Sequence, residues 1–139
     1  MAQLTPGDAQ ELLERYKRAW EARNPDLAME LYADDAEFRL DPFDEPAKGA
    51  NAIRAIWNDV AATQANVEFD AERTWASGQT VLASWHAAFT RRTTAERLRM
   101  RGFSTFELDE SGLIQRAKQW AVAKTVGRDA TFAPEGGDS

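Results

Sequence analysis

The spacing of apolar residues changes once along this chain, close to residue 67, and this change limits the folds that it can form. Before that point apolar residues recur at helical intervals, as they do at Leu12, Leu13, Tyr16, Ala19 and Trp20. After it, apolar and polar residues alternate through four segments that turn sequences separate. This order predicts an α+β fold in which three N-terminal helices pack on a strongly curved, mostly antiparallel sheet.

Capping and turn residues set the predicted bounds of the elements. Thr5-Pro6 begins the first helix, and Asn24-Pro25 ends it and begins a short second one. The remaining elements are a strand at 36–41, a loop at 42–49 and a helix from about 51 to 63. A four-strand meander follows from Val67, with turns at Ser77-Gly78, Thr93-Thr94 and Asp109-Glu110-Ser111-Gly112 and its last strand at 113–126. We expect one domain over 1–126 and a flexible tail over 127–139, whose Pro and Gly content is typical of disordered ends.

Alternation assigns side chains to the two faces of the predicted sheet. A hairpin tip at Thr93-Thr94 places Ser104 opposite Ala83. The concave face then carries Trp85, Phe89, Met100 and Ser104. The opposite face carries Ser84, His86, Arg99, Arg101 and Phe103, and a second copy of the chain is expected to cover it. In the first strand of the meander one alternating set is Val67, Phe69, Ala71, Arg73 and Trp75.

Composition argues against several classes of function. The net charge is −6, and phosphates need a basic face, so we expect no nucleic-acid partner. The absence of Cys and the single His argue against a thiol nucleophile and a zinc site. No apolar run approaches about 18 residues and no signal pattern is visible, so we expect no membrane partner and a cytoplasmic location. We expect neither a metal nor another cofactor.

The stretch 34–57 carries the clearest chemical signal. A short alternating run brings Asp41 to the end of a predicted strand, and a loop with Pro42, Pro46 and Gly49 leads into the next helix. A carboxylate at the rim of an apolar cavity can transfer protons on carbon. The same Asp-Pro sequence also fits a strand-end cap, in which the carboxylate binds local backbone amides. Both interpretations stay open.

These residues resemble those of bacterial ketosteroid isomerases and, more broadly, the SnoaL-like branch of the nuclear transport factor 2-like superfamily. The resemblance covers roughly residues 8–126 and is carried by Arg15-Tyr16, Asp34-Asp35-Ala36, Asp41-Pro42, Glu45-Pro46, Gly49 and Ala52-Ile53-Arg54. It implies a cone-shaped α+β barrel with an apolar pocket at its open end, in a homodimer built through the sheet. It also implies a small apolar carbonyl ligand, steroid- or polyketide-like.

In ketosteroid isomerases an Asp moves a proton between two carbons of a ketone, while a Tyr and a protonated Asp hydrogen-bond the enolate oxygen. The resemblance gives the first two roles to Asp41 and Tyr16, although the strand that carries Asp41 is one residue longer here. At the position of the protonated Asp this sequence has Ser104. Loss of one oxyanion donor costs on the order of 100- to 1000-fold in rate, so efficient steroid isomerisation is not expected.

Large side chains on the predicted inner faces are candidates for the substrate pocket: Trp20, Trp57, Trp85, Phe89, Met100 and Gln119. Individually the apolar ones also fit ordinary core packing, as Tyr16 and Ser104 do. By the same alternation His86 faces outward, to the surface or to an interface, and a one-residue slip of the hairpin would turn it inward.

Two functions from different classes remain. One is an enzyme of isomerase or cyclase type, in which Asp41 removes a proton while Tyr16 and Ser104 hold the enolate. The alternative is a non-catalytic ligand-binding or scaffold homodimer of the same fold. An epoxide hydrolase needs two acids around an Arg, and the meander offers no second interior acid.

Overall fold

A computed structural model describes residues 3–133, which form helices and strands in nearly the predicted order. The helices are α1 (Pro6–Glu21), α2 (Pro25–Met29) and α3 (Ala50–Thr63). The strands are β1 (Tyr32–Arg39), β2 (Ala47–Lys48), β3 (Gln64–Ser77), β4 (Thr80–Arg91), β5 (Glu96–Leu108) and β6 (Ile114–Arg128).

These strands form one six-stranded curved sheet with the order β2-β1-β6-β5-β4-β3. Strands β3 to β6 make the predicted antiparallel meander, while β1 pairs in parallel with β6. The predicted α+β class, with N-terminal helices and a mostly antiparallel sheet, is confirmed. The two-residue strand β2, which pairs with β1, was not predicted because it lies in a loop rich in Pro.

Helix α1 supports the edge of the sheet at β3. Thr5 and Asp8 form a capping box at its start, with hydrogen bonds of 2.9 and 3.1 Å. Near its end, Lys17 Nζ donates to the Phe69 carbonyl at 2.7 Å, and the Phe69 N–H donates to the Glu21 carboxylate at 2.9 Å. The helix therefore pairs both backbone groups that Phe69 would otherwise leave open at a strand edge.

The hairpin of β4 and β5 has the predicted register, since Ser104 lies opposite Ala83. The alternation that grouped Trp75 with Val67 and Phe69 does not continue to the end of β3. A register shift between Ala71 and Arg73 reverses the alternation, and Trp75 lies on the outer face with its ring centroid 6.1 Å from that of Phe103.

The last strand ends two residues later than predicted, because β6 continues to Arg128. Asp129 then accepts hydrogen bonds from the Thr90 hydroxyl at 2.6 Å and the Asn66 amide at 2.8 Å. Its own backbone N–H donates to the Ala95 carbonyl at 2.7 Å. The predicted tail therefore begins as an anchored segment, and residues 134–139 lie outside the described part of the chain.

None of the helices within residues 3–133 combines the length and the hydropathy that crossing a lipid bilayer requires.

Candidate functional site

The candidate site is a cavity of about 530 Å³ between α1, α3 and the concave face of the sheet. Its volume falls within the range of about 300–1,000 Å³ that is usual for small-molecule sites. The wall is mainly apolar and includes Trp20, Phe38, Trp57, Phe89, Leu98 and Met100. Such a wall favours an apolar ligand, and the few polar groups that reach it determine which one.

Tyr16 lines the cavity from the middle of α1 and is 5% exposed. Its ring centroid lies 5.5 Å from those of Trp57, Phe69 and Phe106. No residue of the described chain forms a hydrogen bond with its hydroxyl. Burial raises the pKa of Tyr16 well above its ordinary value, so the phenol stays protonated at neutral pH and can donate a hydrogen bond.

Two further buried polar atoms lie near Tyr16. The Tyr32 hydroxyl and the Trp57 ring N–H are both enclosed, and neither reaches hydrogen-bond geometry with a partner in residues 3–133. Burial raises the pKa of Tyr32, and the nearby Tyr16 hydroxyl raises it further, whereas the adjacent Trp57 N–H lowers it. The three groups therefore form a buried polar cluster beside an otherwise apolar wall.

Asp41 does not reach this cavity. It follows the end of β1, is exposed, and accepts a hydrogen bond from the Phe43 N–H at 2.9 Å. Its carbonyl accepts from the Asp44 N–H at 3.0 Å. This is the local cap that the Asp-Pro sequence also predicted, and the catalytic role of Asp41 stays a prediction that the geometry does not support.

The cavity position at the end of β1 belongs to Leu40. Ala36 and Phe38 are buried, and alternation gives the same inward face to Leu40, which lines the cavity. Asp41 follows one residue later and turns outward. The additional residue noted in this strand therefore reverses which side chain faces inward.

Ser104 is buried, yet it does not line the cavity. Its hydroxyl oxygen accepts a hydrogen bond from the Trp85 ring N–H at 2.9 Å. Trp85 is likewise absent from the cavity wall, because its ring lies across Gly102, where an added Cβ would overlap it. The predicted pair of Trp85 and Ser104 thus forms part of the core behind the cavity.

The other predicted pocket residues come together at the wall, namely Trp20, Trp57, Phe89, Met100 and Gln119. Their role as ligand contacts stays a prediction. Gln119 is partly buried, and its amide forms no hydrogen bond with any residue of the described chain. In contrast, Gln64 is engaged, since its Oε1 accepts from the Trp20 ring N–H at 2.8 Å.

Charged residues occur only toward the outside of the cavity wall. Asp59 is exposed on α3, and Arg91 is exposed at the end of β4. Arg91 Nε lies 3.9 Å from a carboxylate oxygen of Glu96, a loose and solvated pair. His86 lies away from the cavity, on the outer face, with Nδ1 3.0 Å from a Glu72 carboxylate oxygen.

Sequence reasoning missed Leu40, Asp59, Gln64 and Arg91 as wall residues. Three of them carried a usable signal: Leu40 alternates with Phe38, Arg91 alternates with Phe89, and Asp59 follows Ile56 by three residues on a helix. Gln64 carried none, because the strand was predicted to begin at residue 67. Within the described residues no group of three or more acidic or His side chains is placed to hold a metal ion.

The sequence profile of the SnoaL-like domain family matches residues 13–117. A comparison with curated protein sequences finds no match. Among solved structures, an epoxide hydrolase/cyclase-like enzyme, SalBIII, described for its role in pyran ring formation in the polyether salinomycin, superimposes with a TM-score of 0.76 at 17% identity, over 85% of this chain and 95% of that chain.

Two structures from Mycobacterium tuberculosis are also similar. One is an LEH-like epoxide hydrolase, with a TM-score of 0.71, 17% identity, and 84% of each chain covered. The other is RV0760c, with a TM-score of 0.73 and 17% identity, over 88% of this chain and 100% of that chain. At this identity the likeness shows the fold, which is nuclear transport factor 2-like, and not the activity.

Proposed function

The chain belongs to the SnoaL-like domain family, and we propose that it binds a small apolar compound that carries a carbonyl or hydroxyl oxygen, in the cavity between α1, α3 and the sheet. The observation that carries this proposal is the Tyr16 hydroxyl, an unpartnered donor at the wall of a mainly apolar cavity of about 530 Å³. The Tyr16 hydroxyl is not among the fully enclosed polar atoms without a partner, so it is accessible to a ligand oxygen that accepts its hydrogen bond.

The apolar wall supports the hydrophobic part of the ligand. Trp57 and Phe89 are buried aromatic residues, and Met100 adds a flexible side chain that adapts to ring-shaped ligands. Fused-ring steroid- or polyketide-like compounds match these features. One solved structure of similar fold is described for its role in pyran ring formation in the polyether salinomycin, and a pyran is likewise a ring compound that contains oxygen.

The cavity wall favours binding over proton transfer. Its single carboxylate within the described chain is Asp59, which is exposed, and a solvated carboxylate is a poor base on carbon. Hydrolysis of an epoxide by two acids around an Arg lacks the second acid. The non-catalytic alternative therefore has the better support, and acceleration of a reaction by Asp41 would require its loop to rearrange.

We also propose a homodimer through the outer face of the sheet. Trp75 and Phe103 form an aromatic pair there, and Trp120 and Val122 are 44% and 72% exposed on the adjacent strand. A contiguous apolar patch of this kind is typical of an interface. Sedimentation of Val122→Glu beside wild type tests it: the variant should sediment as a monomer and wild type as a dimer, and identical monomers would contradict the proposal.

The ligand proposal is tested with 2-naphthol as the probe, followed through the ring N–H signals of Trp20 and Trp57 in ¹⁵N-labelled protein. Wild type should bind, and Tyr16→Phe should bind about tenfold more weakly because one hydrogen bond is lost. Ile56→Trp, which fills the cavity from α3, should abolish binding. Asn51→Trp, exposed on the same helix, is the matched control. Equal binding by Ile56→Trp and wild type would contradict the proposal.

A further inference from the structure

Some polar groups around the cavity already form hydrogen bonds or ion pairs within the protein, and others do not. Ser104 accepts from Trp85, Gln64 accepts from Trp20, and Arg91 lies beside Glu96. Three partly or fully buried side chains of the wall carry polar groups with no partner among residues 3–133, and these are Tyr16, Trp57 and Gln119. The Trp57 ring N–H is fully enclosed beside Tyr32, which leaves Tyr16 and Gln119 to meet a ligand. The Gln119 amide is not among the fully enclosed polar atoms without a partner, so it is accessible to a ligand, and a ligand group that pairs with it gains affinity.

The surroundings of Gln119 are apolar on the β1 side. Phe38 lies beside Ala117 where β1 and β6 pair in parallel, so two residues further along both strands Leu40 and Gln119 are neighbours on the inner face. Across β5 its partner is Ser104, whose hydroxyl oxygen already accepts from Trp85. Gln119 on β6 therefore presents a polar side chain to the cavity, whereas Ser104 on β5 does not.

The positions of Gln119 and Tyr16 are related through Phe106 and Ala117. The Tyr16 ring packs 5.5 Å from Phe106, and Phe106 lies opposite Ala117 on β6. Gln119 follows Ala117 by two residues on the same face, which is about 7 Å along the strand. Tyr16 and Gln119 therefore reach the cavity from different elements, α1 and β6, so a ligand with two oxygens can contact both.

We infer that Gln119 is a second ligand-binding and specificity-determining residue, and that the ligand is a fused-ring compound with oxygens at both ends, one held by Tyr16 and the other by the Gln119 amide. The inference rests on the proposed function and makes it more specific. The amide both donates and accepts, so Gln119 accommodates either a carbonyl or a hydroxyl, whereas the Tyr16 phenol donates to its ligand oxygen.

The test uses naphthalene, 2-naphthol and 2,6-dihydroxynaphthalene, which add one oxygen at a time to the same rings. Affinities are measured for wild type, for Gln119→Met and Gln119→Leu, and for Gln115→Met. Gln115 is on the same strand but outside the cavity, where it donates to Asp35 at 3.0 Å. Thermal unfolding confirms that each variant is folded. Two different Gln119 substitutions are used so that the test still works if one of them does not fold.

The second hydroxyl should tighten binding by about tenfold in wild type and in Gln115→Met, the effect of one hydrogen bond. This gain should vanish in both Gln119 variants, while the affinity for naphthalene stays within about twofold. If the second hydroxyl still increases affinity in the Gln119 variants, the inference is overturned. It is also overturned if the second hydroxyl does not increase affinity in wild type although 2-naphthol binds through Tyr16. Either result leaves the proposed function intact. If wild type binds none of the three compounds, the proposed function fails, and this inference fails with it.

Discussion

The ring N–H of Trp85 donates to the Ser104 hydroxyl at 2.9 Å, and both residues are buried behind the wall of the cavity. Ser104, which the sequence predicted as a donor to a ligand oxygen, therefore serves the packing of a tryptophan. A substitution at Ser104 should therefore change the stability of the protein without changing its ligand affinity, whereas a substitution in the cavity wall can change both.

Ser104→Ala should lower the free energy of unfolding by about 1–3 kcal/mol, because it leaves a buried indole N–H without an acceptor. The affinity for 2-naphthol should stay within about twofold of wild type. Urea denaturation and titration of the same preparations measure both quantities, with Ser84→Ala on the outer face as the control. A large loss of affinity without a loss of stability would mean that the hydroxyl serves the ligand.

Gly102→Ala should destabilise the protein by about 1–3 kcal/mol, since an added Cβ would overlap the Trp85 ring and force it out of its place. The signal of the Trp85 ring N–H should shift as its bond to Ser104 is disturbed. Gly7→Ala is the control, because a Cβ there meets only ordinary contacts. Unchanged stability together with an unchanged indole signal would show that the ring is not held against Gly102.

Asp129 should make the stability of the protein depend on pH in the acid range. Hydrogen bonds from Thr131, Thr90 and Asn66 hold the pKa of Asp129 far below its ordinary value of 3.8. The folded state therefore takes up this proton less readily than the unfolded chain, and the stabilisation is complete above about pH 4 and is lost as the pH falls further.

The measurement is the difference in unfolding free energy between wild type and Asp129→Asn from pH 7 to pH 2. Wild type should be the more stable at pH 7, and the difference should shrink below about pH 4. Asp44→Asn, an exposed substitution with the same change in charge, corrects for general electrostatic effects. A difference that is constant over this range would mean that the carboxylate does not anchor the segment.

Leu40 and Asp41 provide a test of which side chain faces the cavity. The exchange of protons next to the carbonyl of 2-tetralone in D₂O, followed by NMR, reports a base in contact with the ligand. Asp41→Ala should leave the exchange rate unchanged, because Asp41 lies outside the wall. Leu40→Asp should raise the rate measurably above that of wild type, since it places a carboxylate in the cavity wall, within reach of the ligand.

The control for this pair is Leu40→Asn, which has a similar shape and no base. If Asp41→Ala instead abolishes an exchange activity that wild type shows, the loop must bring Asp41 to the ligand, and the predicted enzyme of isomerase type would regain support.

Much of the fold was accessible from the sequence, because it depends on patterns that repeat. Helical spacing fixed the buried face of α1, which includes Tyr16 and Trp20, and the turn residues fixed the register that pairs Ser104 with Ala83. The shift between Ala71 and Arg73 has no such pattern. It depends on how β3 bends over the helices, and it turned Trp75 to the outer face against the alternation.

The site was harder to predict from the sequence, because it depends on which of two consecutive strand residues faces inward and on contacts between residues distant in sequence. One residue in β1 decides that Leu40 and not Asp41 faces the cavity. Ser104 was on the predicted face, yet the Trp85 ring N–H engages it from a neighbouring strand. Only three-dimensional contacts distinguish Gln119, which remains unpartnered, from Gln64, which Trp20 engages.

The central claim is that the apolar cavity is a ligand site with the Tyr16 hydroxyl as a donor. A crystal structure of the protein with 2,6-dihydroxynaphthalene tests it most directly. The account predicts that the rings lie against Trp57 and Met100, with one oxygen in hydrogen-bond range of Tyr16 Oη and the other in range of the Gln119 amide. Rings bound outside the cavity, or a ligand oxygen bound by Asp41 or Ser104 in place of Tyr16, would contradict it.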